Sequence, residues 1–116
     1  MRKLIFYKTV ASHSPVEEFL DSLTSKHRQK AAWVFELIRV IPFVSGQYFK
    51  KLQGTDDIWE IRIDSGSDTF RILGFYDQGN LVILTNGFVK KTDRTPKNEI
   101  DLAESRKRDY ERRRNG

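Results

Sequence analysis

Apolar and polar positions recur along this chain with two different periods, and the change of period divides it. Lys3 to Tyr7 is rich in β-forming residues and predicts a short first strand. Ser14 and Pro15 then supply an N-cap followed by proline at the first helical position, with Glu17 and Glu18 in the first turn. Val16, Phe19, Leu20 and Leu23 recur at i, i+3, i+4 and i+7, which is one face of a helix. Thr24 and Ser25 interrupt that stripe and can cap a second helix. Its stripe is Ala31, Val34, Phe35, Ile38 and Ile41, and Pro42 ends it. Two helices joined this tightly make a helical hairpin.

From Ile58 to Asp64 the period shortens to two. Trp59, Ile61 and Ile63 fall on one side, and Glu60, Arg62 and Asp64 on the other. Ser65-Gly66-Ser67 reads as a turn, Thr69 to Tyr76 as the next strand, Asp77 to Asn80 as a second turn, and Leu81 to Phe88 as the last strand. Turns this short demand antiparallel pairing. The last two strands carry apolar residues on both sides, so they are expected to be central or to have a covered second face. Thr95-Pro96 caps a final helix whose apolar stripe is thin: Ile100, Ala103 and Tyr110, with Leu102 to one side. Such a helix docks loosely or completes its burial against a partner. The order β-α-α-β-β-β-α predicts an α+β fold. An N-terminal strand and helical hairpin pack on a small twisted antiparallel sheet, followed by the C-terminal helix. No repeat, low-complexity tract or linker interrupts it, and residues 1–116 read as a single domain.

Composition narrows the chemistry. The absence of cysteine removes disulfides, cysteine-rich metal sites and thiol nucleophiles, and only His13 and His27 could serve as imidazole bases or ligands. No metal or cofactor is expected. The apolar run after Met1 stops at Lys8, too short for a signal core or a membrane span, so the expected location is the cytoplasm. The net charge of +5 is uneven. Residues 1–45 hold seven Lys/Arg against four Asp/Glu, residues 46–89 four against six, and residues 90–116 ten against six. The densest run holds Arg106, Lys107, Arg108 and Arg112 to Arg114. That run is either a solvated helix end whose cations suit the helix C-terminus, or a phosphate-contacting surface.

The sheet holds the remaining candidates. Arg62 and Arg71 lie on neighbouring strands, and two guanidinium forks on one polar face can converge on a phosphate. The competing arrangement is a surface salt bridge from Arg62 to Glu60 or Asp68. Arg71 is expected on the open polar side, where truncation leaves the fold intact. Lys50 and Lys51 precede the Gly54 turn, and Lys90 and Lys91 follow the last strand. Alone, such pairs are edge-protecting features. Together these six residues are all the cations between Arg39 and Arg94. A cationic surface of this kind can cleave RNA without histidine, because the 2′-hydroxyl is an internal nucleophile beside its own phosphate. A lysine crowded by other cations can serve as base or acid. Phe49 and Phe88 flank the lysine pairs and either stack a base or join the core. Trp59 is expected in the core, Trp33 partly exposed, and Tyr110 an anchor for the last helix. The histidines receive no role.

Phe49-Lys50-Lys51-Leu52-x-Gly54, Ile58-Trp59-Glu60-Ile61-Arg62, Phe70-Arg71-Ile72-Leu73, Asn86-Gly87-Phe88-x-Lys90-Lys91-Thr92 and Thr95-Pro96 occur in that order. Over about residues 45–112 the chain resembles the phage-derived, HigB-like branch of the RelE/ParE toxin superfamily, and the helical hairpin fits in order and size. The resemblance implies a RelE-like fold and the toxin of a type II toxin–antitoxin pair, a metal-independent, ribosome-dependent mRNA endoribonuclease that inhibits translation. It implies a helix-turn-helix, HigA-like antitoxin as partner, together with ribosome and mRNA, and no membrane. By position, Arg62 and Arg71 match the arginines that hold the scissile phosphate. Lys50 or Lys51 matches a basic residue before the second strand, and Lys90 and Lys91 stand where relatives place catalytic residues, often His or Tyr. Catalytic candidates are thus Arg62, Arg71, Lys90 and Lys91, and candidate RNA contacts are Lys50, Lys51, Arg106, Arg108 and Arg112. The superfamily also holds gyrase inhibitors without a nuclease site. A non-catalytic inhibitor and a plain RNA-binding module are therefore the alternatives.

Overall fold

The computed structural model describes residues 1–115. Its elements are β1 (Lys3–Phe6), α1 (Pro15–Asp21), α2 (Ser25–Val40), β2 (Phe49–Lys51), β3 (Trp59–Ser65), β4 (Asp68–Tyr76), β5 (Leu81–Val89) and α3 (Lys97–Asn115). The fold is α+β, as the pattern predicts. Thr24 caps α2 by accepting from the His27 amide at 3.2 Å. Ser14 stands at the N-cap of α1 and Pro15 at its first position, but the Ser14 hydroxyl makes no capping bond.

The five strands form one open sheet in the order β1-β5-β4-β3-β2. β2 to β5 are an antiparallel meander, whereas β1 pairs parallel with β5, Lys3 opposite Leu81 through Phe6 opposite Leu84. The sheet is therefore mixed rather than antiparallel throughout. Parallel neighbours require a long crossover. Here the chain leaves β1, runs through the helical hairpin, and enters the sheet at the opposite edge. β4 lies in the middle, and its residues Phe70 to Phe75 are all buried.

Each face of the sheet carries its own core. On the hairpin side Val16, Ala31, Val34 and Ile38 meet Phe49, Ile61, Ile63, Phe70, Ile72, Val82 and Leu84. On the other side Leu73, Phe75, Ile83 and Phe88 pack with Tyr7, Ile58 and Ala103. The second apolar side is thus covered by α3 of the same chain. A bulge makes this arrangement possible. Leu73 pairs with Asn86 and Gly74 with Leu84, so Thr85 has no partner and the alternation of β5 shifts by one residue. Ile83, Asn86 and Phe88 consequently share the α3 face.

The thin apolar stripe of α3 is supplemented by polar anchors. Lys107 is buried, with Nζ donating to the Asp56 carbonyl at 2.7 Å. Arg106 donates to the Thr85 carbonyl at 2.9 Å, Tyr110 to Asp77 at 2.9 Å, and Arg113 to the Lys8 carbonyl at 2.6 Å. The helix is fastened along its length, not loosely docked. No helix among the described residues is long and apolar enough to cross a membrane.

Candidate functional site

The register of β3 and β4 sets Arg62 directly opposite Arg71. Like charges in that position repel, and a buried cation needs a counter-ion. Glu60 supplies it. Two residues along β3 from Arg62, it lies on the same face, and its Oε1 is 3.6 Å from Nε of both arginines. The Thr95 hydroxyl donates to the other oxygen, Oε2. The first amides of α3, those of Glu99 and Ile100, donate to the Pro96 carbonyl, and none donates to the Thr95 hydroxyl, so Thr95 does not cap the helix. It ties the segment before that helix to the carboxylate.

The two arginines differ in exposure. The Arg62 side chain is 29% exposed, and its Nη1 lies 3.4 Å from the Gly46 carbonyl. The Arg71 side chain is only 4% exposed. Its Nη1 donates to the Phe70 carbonyl at 2.9 Å and to Asp64 at 3.1 Å. Arg71 is thus not on an open polar side, because Phe88 of β5 stands beside it in the register and the approach of α3 closes the neighbouring surface. Nε of each arginine is shielded from solvent and donates no hydrogen bond. The Asp64 side chain that covers Arg71 is itself 58% exposed.

Two of the lysines join this face. Lys50 pairs with Glu60 in the register and is exposed. The Lys90 amide continues the ladder to the Thr69 carbonyl, which puts Lys90 on the arginine side, and its ammonium reaches the Asp93 carbonyl at 2.9 Å. Lys50, Arg62, Arg71 and Lys90 face Glu60 and Asp64, a surplus of two positive charges. Lys51 projects to the opposite side and pairs with Asp57 at 2.8 Å, which lowers the Asp57 pKa by hydrogen bonding. Lys91 is exposed just beyond the strand.

Arg106, Arg108 and Arg112 are not brought to this cluster. They line a separate open cleft of about 460 Å³ with Tyr7, Thr9 and Asp109. Nine and fifteen residues past Lys97, Arg106 and Arg112 stand roughly 14 and 22 Å along the helix. Much of the C-terminal charge is internally paired: Arg112 and Arg113 with Asp109 at 3.2 and 2.6 Å, and Arg114 with Asp77 at 2.8 Å. Tyr7 donates to Asp109 at 2.6 Å, and burial followed by that bond raises its pKa. The same bond, with help from Arg113 and Arg112, holds Asp109 below the usual carboxylate range.

Phe49 and Phe88 are buried, Phe49 stacked on the half-buried Trp59 at 4.7 Å, so both belong to the core. Trp33 is half exposed. Tyr110 anchors α3 through Asp77 and an edge contact with Phe75. In the sequence pattern Glu60 is only a salt-bridge partner and Thr95 only a helix cap. Their presence in the Trp59-Glu60-Ile61-Arg62 and Thr95-Pro96 motifs was the available signal.

A family model described as phage derived protein Gp49-like (DUF891) matches residues 18–108. The match takes in most of the helical hairpin, the strands β2 to β5, Thr95 and over half of α3, and so every residue of the arginine cluster. Comparison with curated proteins found no match. The Gp49-like proteins fall among the RelE/Gp49 toxins. With the matched residues spanning most of its length, the chain belongs to the phage-derived, toxin-like Gp49 family.

Proposed function

We propose that this chain is the toxin of a type II toxin–antitoxin pair of HigB-like type, a ribosome-dependent endoribonuclease held in check by a helix-turn-helix antitoxin. The observation that supports this reading is the pair of arginines facing each other across β3 and β4, on a face where Lys50 and Lys90 leave a surplus of positive charge. In the reaction the RNA 2′-oxygen attacks its own phosphorus, the P–O5′ bond breaks, and a 2′,3′-cyclic phosphate and a 5′-hydroxyl result. One proton leaves the 2′-hydroxyl and one reaches the departing 5′-oxygen. Arg62 and Arg71 stabilise the charge that grows on the phosphoryl oxygens, and removing one such donor typically costs about a hundredfold or more in rate. Lys90 and Lys50, on the same face, are the groups of this chain placed to move a proton or attract the strand. Lys91, exposed just past β5, is a further catalytic candidate. Lys51 and the cleft holding Arg106, Arg108 and Arg112 are proposed as backbone contacts.

The test is induction of the protein with and without its neighbouring reading frame, with RNA ends mapped on ribosome-bound message. Growth arrest, message cleavage and relief by a helix-turn-helix partner are expected. Arg62→Ala should abolish cleavage. The internal pairing of Arg71 with Glu60 and Asp64 favours a second reading, a non-catalytic inhibitor of a protein target such as gyrase. Arrest with intact message and loss of plasmid supercoiling would establish that reading instead.

A further inference from the structure

We infer that Glu60 is a positioning residue, the rear anchor that holds Arg62 and Arg71 so that both present their guanidinium groups to a single phosphate. The inference deepens the endonuclease reading and rests on it for its kinetic arm. Its binding arm stands alone.

Three observations support it. First, one carboxylate oxygen serves both arginines at equal distance, 3.6 Å from each Nε. Arg71 has a second acid in Asp64 at 3.1 Å, so its pairing alone does not require Glu60 to stand between the two arginines. Here a buried acid is shared between two cations forced face to face by the strand register. Second, Glu60 cannot follow the arginines if they move. It is buried, and Thr95 holds its second oxygen from the segment that leads into α3. Third, the carboxylates at the two ends of Arg71 are unequal. Glu60 lies behind it with a side chain 4% exposed, whereas Asp64 lies in front at 58%. An incoming phosphate can displace an exposed carboxylate from Arg71 Nη1. It cannot displace a buried one. Asp64 therefore occupies the phosphate position, and Glu60 fixes the geometry behind it.

The sign of the expected effect separates positioning from simple electrostatics. Glu60→Gln removes a negative charge, so electrostatics alone predicts tighter anion binding and unimpaired turnover. Positioning predicts that turnover falls while binding does not weaken, because a displacement of about 1 Å can cost on the order of a hundredfold in rate.

The arginine Nε–Hε resonances of the full chain report on the site directly, with inorganic phosphate as the probe. In the parent, Arg62 and Arg71 should shift together with one common affinity. In Glu60→Gln they should shift independently, and Asp64→Asn should bind phosphate several-fold more tightly than the parent. On ribosome-bound message, Glu60→Gln should lower kcat about tenfold to a hundredfold with KM unchanged or reduced. Thr95→Val, which keeps every charge, should give a smaller loss of the same kind. Glu60→Asp should recover part of the coupling, and these two variants carry the test where Glu60→Gln does not fold. Independent shifts in the parent, or a kcat within twofold of the parent in both Glu60→Gln and Thr95→Val, overturn the inference. If the parent does not cut message at all, the endonuclease reading fails, and the phosphate titration alone decides the role of Glu60.

Discussion

Nε of Arg62 and Nε of Arg71 lie equally far, 3.6 Å, from the same oxygen of Glu60, yet 29% of one side chain and 4% of the other is exposed. Truncating them should therefore affect folding unequally. Arg71→Ala removes a buried cation and opens a cavity beside Phe88, and breaking a buried pair typically costs about 3–5 kcal/mol. Arg62→Ala removes a partly solvated partner and should cost about 1 kcal/mol. Urea midpoints measure the difference. A smaller loss for Arg71→Ala than for Arg62→Ala would contradict the burial argument. Loss of toxicity in Arg71→Ala must consequently be read beside Arg71→Lys, which keeps the charge but not the fork.

That inequality was not legible in the sequence. The alternation of Trp59, Ile61 and Ile63 with Glu60, Arg62 and Asp64 gave the two faces of β3, and the two-sided strands Phe70 to Phe75 and Leu81 to Leu84 gave central positions. Glu60 is held by the Thr95 segment crossing the second face, and Arg71 is enclosed by Phe88, Glu60 and Asp64, contacts that no local period announces. The α3 stripe was thin because Lys107 and Arg106, read as surface charges, supply part of the docking. The bulge at Thr85 was hidden for a related reason. Leu81 to Leu84 is apolar at every position, so no period marks the shift, and only the pairing to β4 reveals that Asn86, Phe88 and Lys90 have changed sides. The parallel pairing of β1 with β5 joins segments far apart in the sequence and has no turn to signal it.

Gly87 shows how a motif residue can have a packing cause. A Cβ at this position would overlap the ring of Phe19, which rests on β5 from α1. Gly87→Ala should force α1 away from the sheet and cost about 1–3 kcal/mol, the range for an overpacked core. The double variant Phe19→Leu, Gly87→Ala should recover part of that loss in chemical denaturation. A fully additive double variant would show that the two residues do not meet.

The two basic groups should differ in salt dependence. Arg108 is exposed on α3 and lines the cleft beside Tyr7, away from the arginine pair. Arg108→Ala should weaken RNA binding uniformly, reduce the salt slope by about one, and be rescued at low ionic strength. Lys90→Ala changes the face that holds Arg62 and Arg71. If Lys90 moves a proton, cleavage by this variant stays lost at low salt while binding recovers. Filter binding and cleavage across a salt series measure both. Full recovery of cleavage at low salt would leave Lys90 an electrostatic contact.

Tyr7 should couple stability to pH at both ends of the scale. Burial, followed by the Asp109 bond, raises its phenol pKa, and burial with Asp77 does the same for Tyr110. A raised folded-state value means that the folded state resists the phenolate. The stability these groups contribute is full below their ordinary value of about 10 and is lost as pH rises through the folded values. Asp109 has the opposite sign. The Tyr7 hydrogen bond is the largest cause lowering its pKa, with burial opposing and Arg113 and Arg112 adding. Its contribution is full above the ordinary carboxylate value of about 4 and is lost as pH falls through the folded one. Denaturation midpoints should therefore form a plateau between about pH 4 and pH 10 and decline outside it. Tyr7→Phe removes one phenol and the main support of Asp109 together. It should lower the plateau and make both limbs shallower, with the remaining alkaline decline belonging to Tyr110. An alkaline limb unchanged in Tyr7→Phe but abolished in Tyr110→Phe would place the whole effect on the far end of α3.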